Sequence, residues 1–237
     1  MSELSQPFLV TLTIGSAYLP PKAMPTLDAI LWSAVKRVSE GEDDMTSCMP
    51  LCRTERVFHG SGMLCEPMFP VLPVKFFQSI CNERKEDDLL PQWLDTRLYK
   101  GSSVDVGKIK SGISGKGTFS VKTDGYTALS RGKLWKVGFY GCGDMRRVES
   151  LLHLLPGIGR KASRGYGAIT DIEVEPKDHD FSMMRDGLPM RPIPIEIWER
   201  MGGRMLPKRK ARAVMCDGDP DEYEEFCVTP MGDRIPW

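Results

Sequence analysis

Residues 134–174 read LWKVGFYGCGDMRRVESLLHLLPGIGRKASRGYGAITDIEV, and this run restricts the fold more than any other part of the chain. LWKVGFY is apolar and rich in residues that suit a pleated, half-buried surface, so it predicts a strand. Asp144 stands where a carboxylate can accept from the open amides of a first helical turn. Met145, Val148, Leu151, Leu152 and Leu155 then recur on one face of a helix, which Pro156 and Gly157 stop. After a glycine-rich turn, AITDIEV alternates as a closing strand. A strand, a helix and a returning strand within about forty residues require a sheet with at least one helix laid on it.

The N-terminal part repeats the theme. FLVTLTI, residues 8–14, predicts a strand, and Gly15 with Pro20, Pro21 and Pro25 breaks the regularity after it. Thr26 is placed to cap a helix running to about Ser39, whose apolar face would hold Leu27, Ile30, Leu31, Ala34, Val35 and Val38, with Gly41 ending it. GEDDMTSCMP reads as an exposed acidic excursion. Residues 57–74 offer short strands broken by Gly60, Gly62, Pro67 and Pro70, and residues 83–94 a charged helix. Residues 104–132 read as a basic hairpin around TFSVKT, carrying Lys108, Lys110, Lys116, Lys122 and Arg131; an ordinary surface hairpin explains it equally well. The order βα, ββ, αβ is that of an α+β, ferredoxin-like (RRM-like) split unit with helices on one face of an antiparallel sheet. That unit would occupy 1–176, with insertions at 41–100 and 104–132, and 177–237 would form a C-terminal extension. In the extension RPIPIEIW reads as an extended run, followed by a basic cluster at Arg204, Lys208, Arg209, Lys210 and Arg212.

Charge is unevenly distributed. Lys plus Arg and Asp plus Glu both number 32, yet residues 100–164 hold 13 basic against 4 acidic side chains, a local balance of +9. Such segregation suits a polyanionic partner, although a solvated basic face would look the same. No window approaches the roughly 18 consecutive apolar residues of a membrane span, and residues 1–7 lack the pattern of a signal peptide, so a cytoplasmic protein without membrane contact is expected.

The turn PGIGRKASRGYG concentrates the chemistry. Gly157, Gly159, Gly165 and Gly167 allow left-handed backbone and close approach to a ligand, and successive amides can form an anion nest. Arg160, Lys161 and Arg164 supply charge-assisted bonds to phosphate, Ser163 a hydroxyl, and Tyr166 a ring on which a base can stack. Together these suit the backbone of a single-stranded RNA. A P-loop needs Gly-Lys-Ser/Thr between a strand and a following helix, as a dinucleotide fingerprint needs that same order. Here the turn follows a helix and precedes a strand. A helix C-cap with surface arginines is the remaining bland explanation.

Other chemistry is thinner. Cys48, Cys52, Cys65, Cys81, Cys142, Cys216 and Cys227 show no repeated close pair. Cys48, Cys52, His59 and Cys65 have zinc-compatible donors, but the spacing is incomplete, so buried thiols are the reading and no metal or cofactor is assigned. Metal-independent RNA cleavage needs a general base, for which His59, His153 and His179 are the candidates; none has a partner that the sequence can place. Asp43, Asp44, Asp217 and Asp219 lie in turn-forming acidic runs and read as solvated loop.

GIGRKASRGYG, preceded by a leucine-rich helix and FYGCGD, resembles the glycine-rich loop of the RAMP proteins of CRISPR systems. LDAILWSAV, FYGCGD, LLHLLPGIGRKASRGYG and RPIP together resemble the Cas-five-like subunit of type IV effector complexes, with residues 41–100 unmatched. The resemblance implies a noncatalytic subunit that caps a guide-RNA (crRNA) filament by gripping its 5′ handle. Gly157, Gly159, Arg160, Lys161, Ser163, Arg164, Gly165, Tyr166 and Gly167 match the family loop and would inherit RNA contact. The basic hairpin matches only in character the thumb that touches neighbouring subunits and the guide. Such a subunit lies near the motif flanking target DNA, within reach of the basic tail 208–212. Because some RAMP relatives cleave repeat RNA without metal, an endoribonuclease is the alternative.

Overall fold

The computed structural model describes residues 5–19, 21, 24–39, 46–65, 71–79, 118–126, 129–130, 133–213, 224–230 and 235–236; for 71–79, 118–126, 129–130, 133–134 and 235–236 only the course of the strands is described. Strands β1 (Gln6–Ile14), β2 (Arg53–Thr54), β3 (Val57–Phe58), β4 (Leu64–Cys65), β5 (Val71–Ser79), β6 (Thr118–Tyr126), β7 (Leu129–Ser130), β8 (Lys133–Gly143) and β9 (Ile169–Pro176) carry the first three quarters. The remainder holds β10 (Met184–Arg185), β11 (Leu188–Pro189), β12 (Ile193–Pro194), β13 (Lys208–Ala211), β14 (Glu225–Val228) and β15 (Ile235–Pro236). Three helices are described: α1 (Leu27–Val38), α2 (Met145–Leu152) and α3 (Ile195–Arg200).

The chain divides into two compact units, one of residues 1–70 and 126–237 and one of residues 71–125. In the smaller unit β5 pairs with β6, so TFSVKT of the basic hairpin expected at 104–132 is joined to residues 71–79, outside that hairpin. Lys122 lies on β6, whereas Lys108, Lys110, Lys116 and Arg131, like the charged helix expected at 83–94, lie outside the described residues.

The larger unit is mixed α and β. Its main sheet has the order β15-β4-β8-β1-β9, with β7 also on β8. The pairs β4/β8, β8/β1 and β1/β9 are antiparallel, and β15/β4 is parallel. Alternation along β1 sends Phe8, Val10, Leu12 and Ile14 to one face, where all are fully buried. They meet Trp135, Val137 and Phe139 of β8 and the apolar faces of α1 and α2. Burying each such aliphatic or aromatic side chain contributes about 1.5–3 kcal/mol relative to leaving it in water. On the opposite face Leu9 and Leu64 pack with Met190 from the C-terminal segment, so the central strand is covered on both sides.

Both helices form where the apolar spacing puts them. Asp144 caps α2 as expected, accepting from the Arg147 amide at 3.0 Å. Thr26 occupies the N-cap of α1, but its hydroxyl makes no cap bond. The first amide, that of Leu27, donates to the Ser61 carbonyl at 3.0 Å, so one of the open amides of the first turn has a backbone partner. Val38, expected on the buried face, is 57% exposed, whereas Trp32 is buried. The helix ends at Val38.

RPIPIEIW is only half extended. Ile193–Pro194 is strand, but Pro194 then serves as the N-cap of α3. Proline's fixed φ suits the start of a helix as well as a strand edge. Ile197 and Trp198 of α3 join Val57, Met183, Ile193 and Val228 in a second small core. Arg191 ties this segment to the main core. Its guanidinium, 1% exposed, makes a two-pronged pair with fully buried Asp28 of α1 at 3.2 and 3.0 Å. It also donates to the carbonyls of Phe58, Gly60 and Ala213. Thus the Asp of LDAILWSAV and the Arg of RPIP are bonded to each other.

Candidate functional site

The glycine-rich turn links α2 to β9 and lies at the end of β1 where Ile14 pairs with Ile169. Its backbone is fastened to the segment that follows β1. Arg160 N donates to Leu19 O at 2.8 Å, Gly167 N to Ala17 O at 2.8 Å and Ile158 N to Gly167 O at 2.9 Å. The Ser16 hydroxyl braces the same turn, donating to Gly165 O at 2.7 Å and accepting from Ala168 N at 2.9 Å. Residues 162–164 make a single 3-10 turn, flanked by Lys161 at φ 60° and Gly165 at φ 85°.

This anchoring changes the role of the glycines. A Cβ on Gly159 would sit 2.5 Å from the Leu19 carbonyl and from the Tyr18 ring; on Gly157 it would lie 2.6 Å from Gly167 O, and on Gly167 2.1 Å from Ile158 O. Those three are required by close approach of the protein to itself rather than to a ligand. The amides of Ile158, Arg160, Arg164, Gly165 and Gly167 are likewise engaged internally, which narrows the expected anion nest. Gly165 alone of the four meets nothing within 4 Å of a Cβ.

The side chains of the turn differ in exposure. Arg160, Ser163 and Arg164 are exposed, Lys161 and Tyr166 half-buried, and Gly157 and Gly167 buried. Partial burial, followed by the adjacent Arg164 and Arg160 charges, lowers the Lys161 ammonium from its ordinary value. Three cations this close repel one another, and a bound polyanion would relieve that repulsion. A second basic surface lies on β13, where Lys208, Arg209 and Lys210 are exposed and the Lys210 ammonium stands 5.9 Å over the ring of exposed Phe226.

At the opposite end of the sheet is a cluster that the sequence did not bring together. His59 Nδ1 lies 2.6 Å from Asp180 Oδ2, and its Nε2 lies 2.7 Å from Thr54 Oγ1. Cys142 Sγ is 3.7 Å from Cys52 Sγ, and the Ser5 hydroxyl touches Cys52 Sγ at 3.2 Å. Donor atoms of His59, Cys142 and Asp180 all fall within 4.8 Å of one another. Burial, then the Asp180 carboxylate and the Cys52 thiol, push Cys142 up to about 12. Burial of Asp180 opposes its ionisation, but hydrogen bonds from His59 and Ser182 outweigh it and hold the carboxyl below its ordinary value. Of the other histidines, His153 is the exposed C-cap of α2, and His179 packs its ring on Phe181 at 6.0 Å.

The expected cysteine set is therefore redrawn. Cys52 and His59 do converge, but with Cys142 and Asp180, which lie 90 and 121 positions from their contact partners. Cys65 is instead buried in the main core with Cys48 packed against that core. Comparison of the chain with protein-family models and with curated proteins finds no match.

Proposed function

We propose that this chain is a noncatalytic guide-RNA-binding subunit of a type IV CRISPR ribonucleoprotein, a Cas-five-like RAMP protein that holds the 5′ handle of the RNA on the turn at 156–167. One observation carries the reading: exposed Arg160 and Arg164 flank half-buried Lys161 on a turn whose backbone is pinned to residues 15–19. A preorganised cationic surface loses little entropy on meeting a phosphate chain. The antiparallel order β9-β1-β8-β4, with both helices packed in the core on one side, supports the ferredoxin-like reading of the larger unit. In this role the protein works in the cytoplasm beside other subunits of the effector complex. Exposed Lys208, Arg209 and Lys210 favour an additional contact with DNA phosphates beside the target.

Titrating the purified chain with labelled repeat-derived RNA over a range of salt tests the proposal. Replacing Arg160, Lys161 and Arg164 together by Ala should weaken binding and flatten the salt dependence by about 2, from roughly 0.7 per phosphate contact on a single strand. Unchanged affinity and slope would overturn it. A second reading, a metal-independent repeat endoribonuclease, is favoured by the contact of His59 with Asp180, which has the form of a base with an orienting carboxylate. Against it stands position. Gly60, next to His59, bridges Gly141 opposite Phe8, whereas the turn bonds to Gly15, so about 24 Å of strand separates them.

A further inference from the structure

We propose that Cys52, His59, Cys142 and Asp180 form a tetrahedral site for a zinc ion that fastens three distant parts of the chain together. The proposal does not rest on RNA binding, because the cluster lies at the other end of β1. Its donors come from the excursion around β2 and β3, from the end of β8 and from the segment after β9.

Geometry favours the ion in two ways. Thiolates bound to zinc at about 2.3 Å stand about 3.8 Å apart at the corners of a tetrahedron. The two sulfurs are 3.7 Å apart and unbonded, a separation too long for a disulfide. His59 and Asp180, at 2.6 Å, share a hydrogen bond and would open to about 3.3 Å when both turn to an ion with bonds near 2.0 Å. Donor atoms of His59, Cys142 and Asp180 already lie within 4.8 Å of one another, and Cys52 Sγ, 3.7 Å from Cys142 Sγ, joins them by turning toward the ion.

The backbone already holds the donors. Cys52 N donates to Cys142 O at 2.8 Å, Cys142 N to His59 O at 3.1 Å, and His59 N to Cys52 O at 2.8 Å. These three bonds make a closed ring of the three residues, so their side chains leave from one rigid patch. Asp180 is fixed in turn by the Ser182 amide at 2.8 Å. Two soft sulfurs with an imidazole and a carboxylate select zinc over magnesium or calcium. Four protein ligands leave no open position, which is the form of a structural site rather than a catalytic one. In this state His59 is not available as a base.

The full chain, purified with reductant and stripped of metal, is titrated with cobalt(II), whose thiolate charge-transfer absorption and tetrahedral d–d bands report this ligand set. One equivalent should saturate the bands, and zinc should then erase them. C52S and C142S should each abolish or strongly weaken the charge-transfer band, whereas C48S and C65S should keep it. Circular dichroism of each variant guards against loss through unfolding, and D180N provides a milder change that should weaken cobalt binding while leaving the fold intact. Absence of the bands in the unaltered chain would overturn the proposal. So would bands that survive in folded C142S, or that vanish in folded C48S.

Discussion

Substituting Arg191 by Met should be among the most damaging single changes outside the apolar core. The side chain keeps similar length, so packing loss is small and the effect is electrostatic. The change removes both bonds to Asp28, at 3.2 and 3.0 Å, from a carboxylate that is fully buried. It also strips a donor from the carbonyls of Phe58, Gly60 and Ala213. Breaking one side of a buried pair costs about 3–5 kcal/mol, because the remaining charge has no partner. That corresponds to a roughly 200- to 5,000-fold rise in the unfolded-to-folded ratio, a large share of a stability of about 5–15 kcal/mol. Urea unfolding followed by tryptophan fluorescence measures it. Adding Asp28→Leu to Arg191→Met should restore at least half of the loss, since the orphaned carboxylate is then gone. If the single variant costs less than about 1 kcal/mol, or the double variant is worse than the single by the full cost of a second break, the buried pair is not what holds the C-terminal segment to α1.

Gly159→Ala should destabilise by about 2–5 kcal/mol, combining a left-handed backbone with overlap on Leu19 and Tyr18, whereas Gly165→Ala, with open space, should cost only about 1–2 kcal/mol; thermal melts of the two variants give the comparison. Asp144→Ala should lower stability by about 1 kcal/mol through the lost bond to Arg147 N, measured in the same way. Incubation with labelled repeat RNA in the absence of metal should give binding without cleavage. Specific cleavage that disappears in His59→Ala or His153→Ala would instead establish the endoribonuclease.

Much of the main sheet was legible because local pattern and tertiary role agree there. β1, β8 and β9 alternate or run apolar, α1 and α2 repeat at helical spacing, and Asp144 caps as its chemistry suggests. The misreadings arise where a neighbour far along the chain decides. Thr26 holds the cap position but its hydroxyl makes no cap bond, and the first helical amide goes to the distant Ser61 carbonyl. Pro194 fits both a strand and a helix start, and only the burial of Ile197 and Trp198 favours the helix. The glycines of the turn suggested ligand approach, yet three are needed by contacts with residues 17–19 or with the turn's own return strand. His59 appeared to lack a partner because Asp180 and Cys142 are brought to it by β-sheet pairing, which no short spacing encodes.

The bond between Asp28 and Arg191 also imposes a timetable. The two are 163 positions apart, so at synthesis rates of about 5–20 residues per second the first helix waits roughly 8–30 s for the guanidinium that neutralises it. Until then its inner surface carries a carboxylate that favours hydration over docking, and the nascent domain cannot close completely. Products cut short before this arginine would hold most of the sheet-forming segments yet leave that carboxylate without its partner.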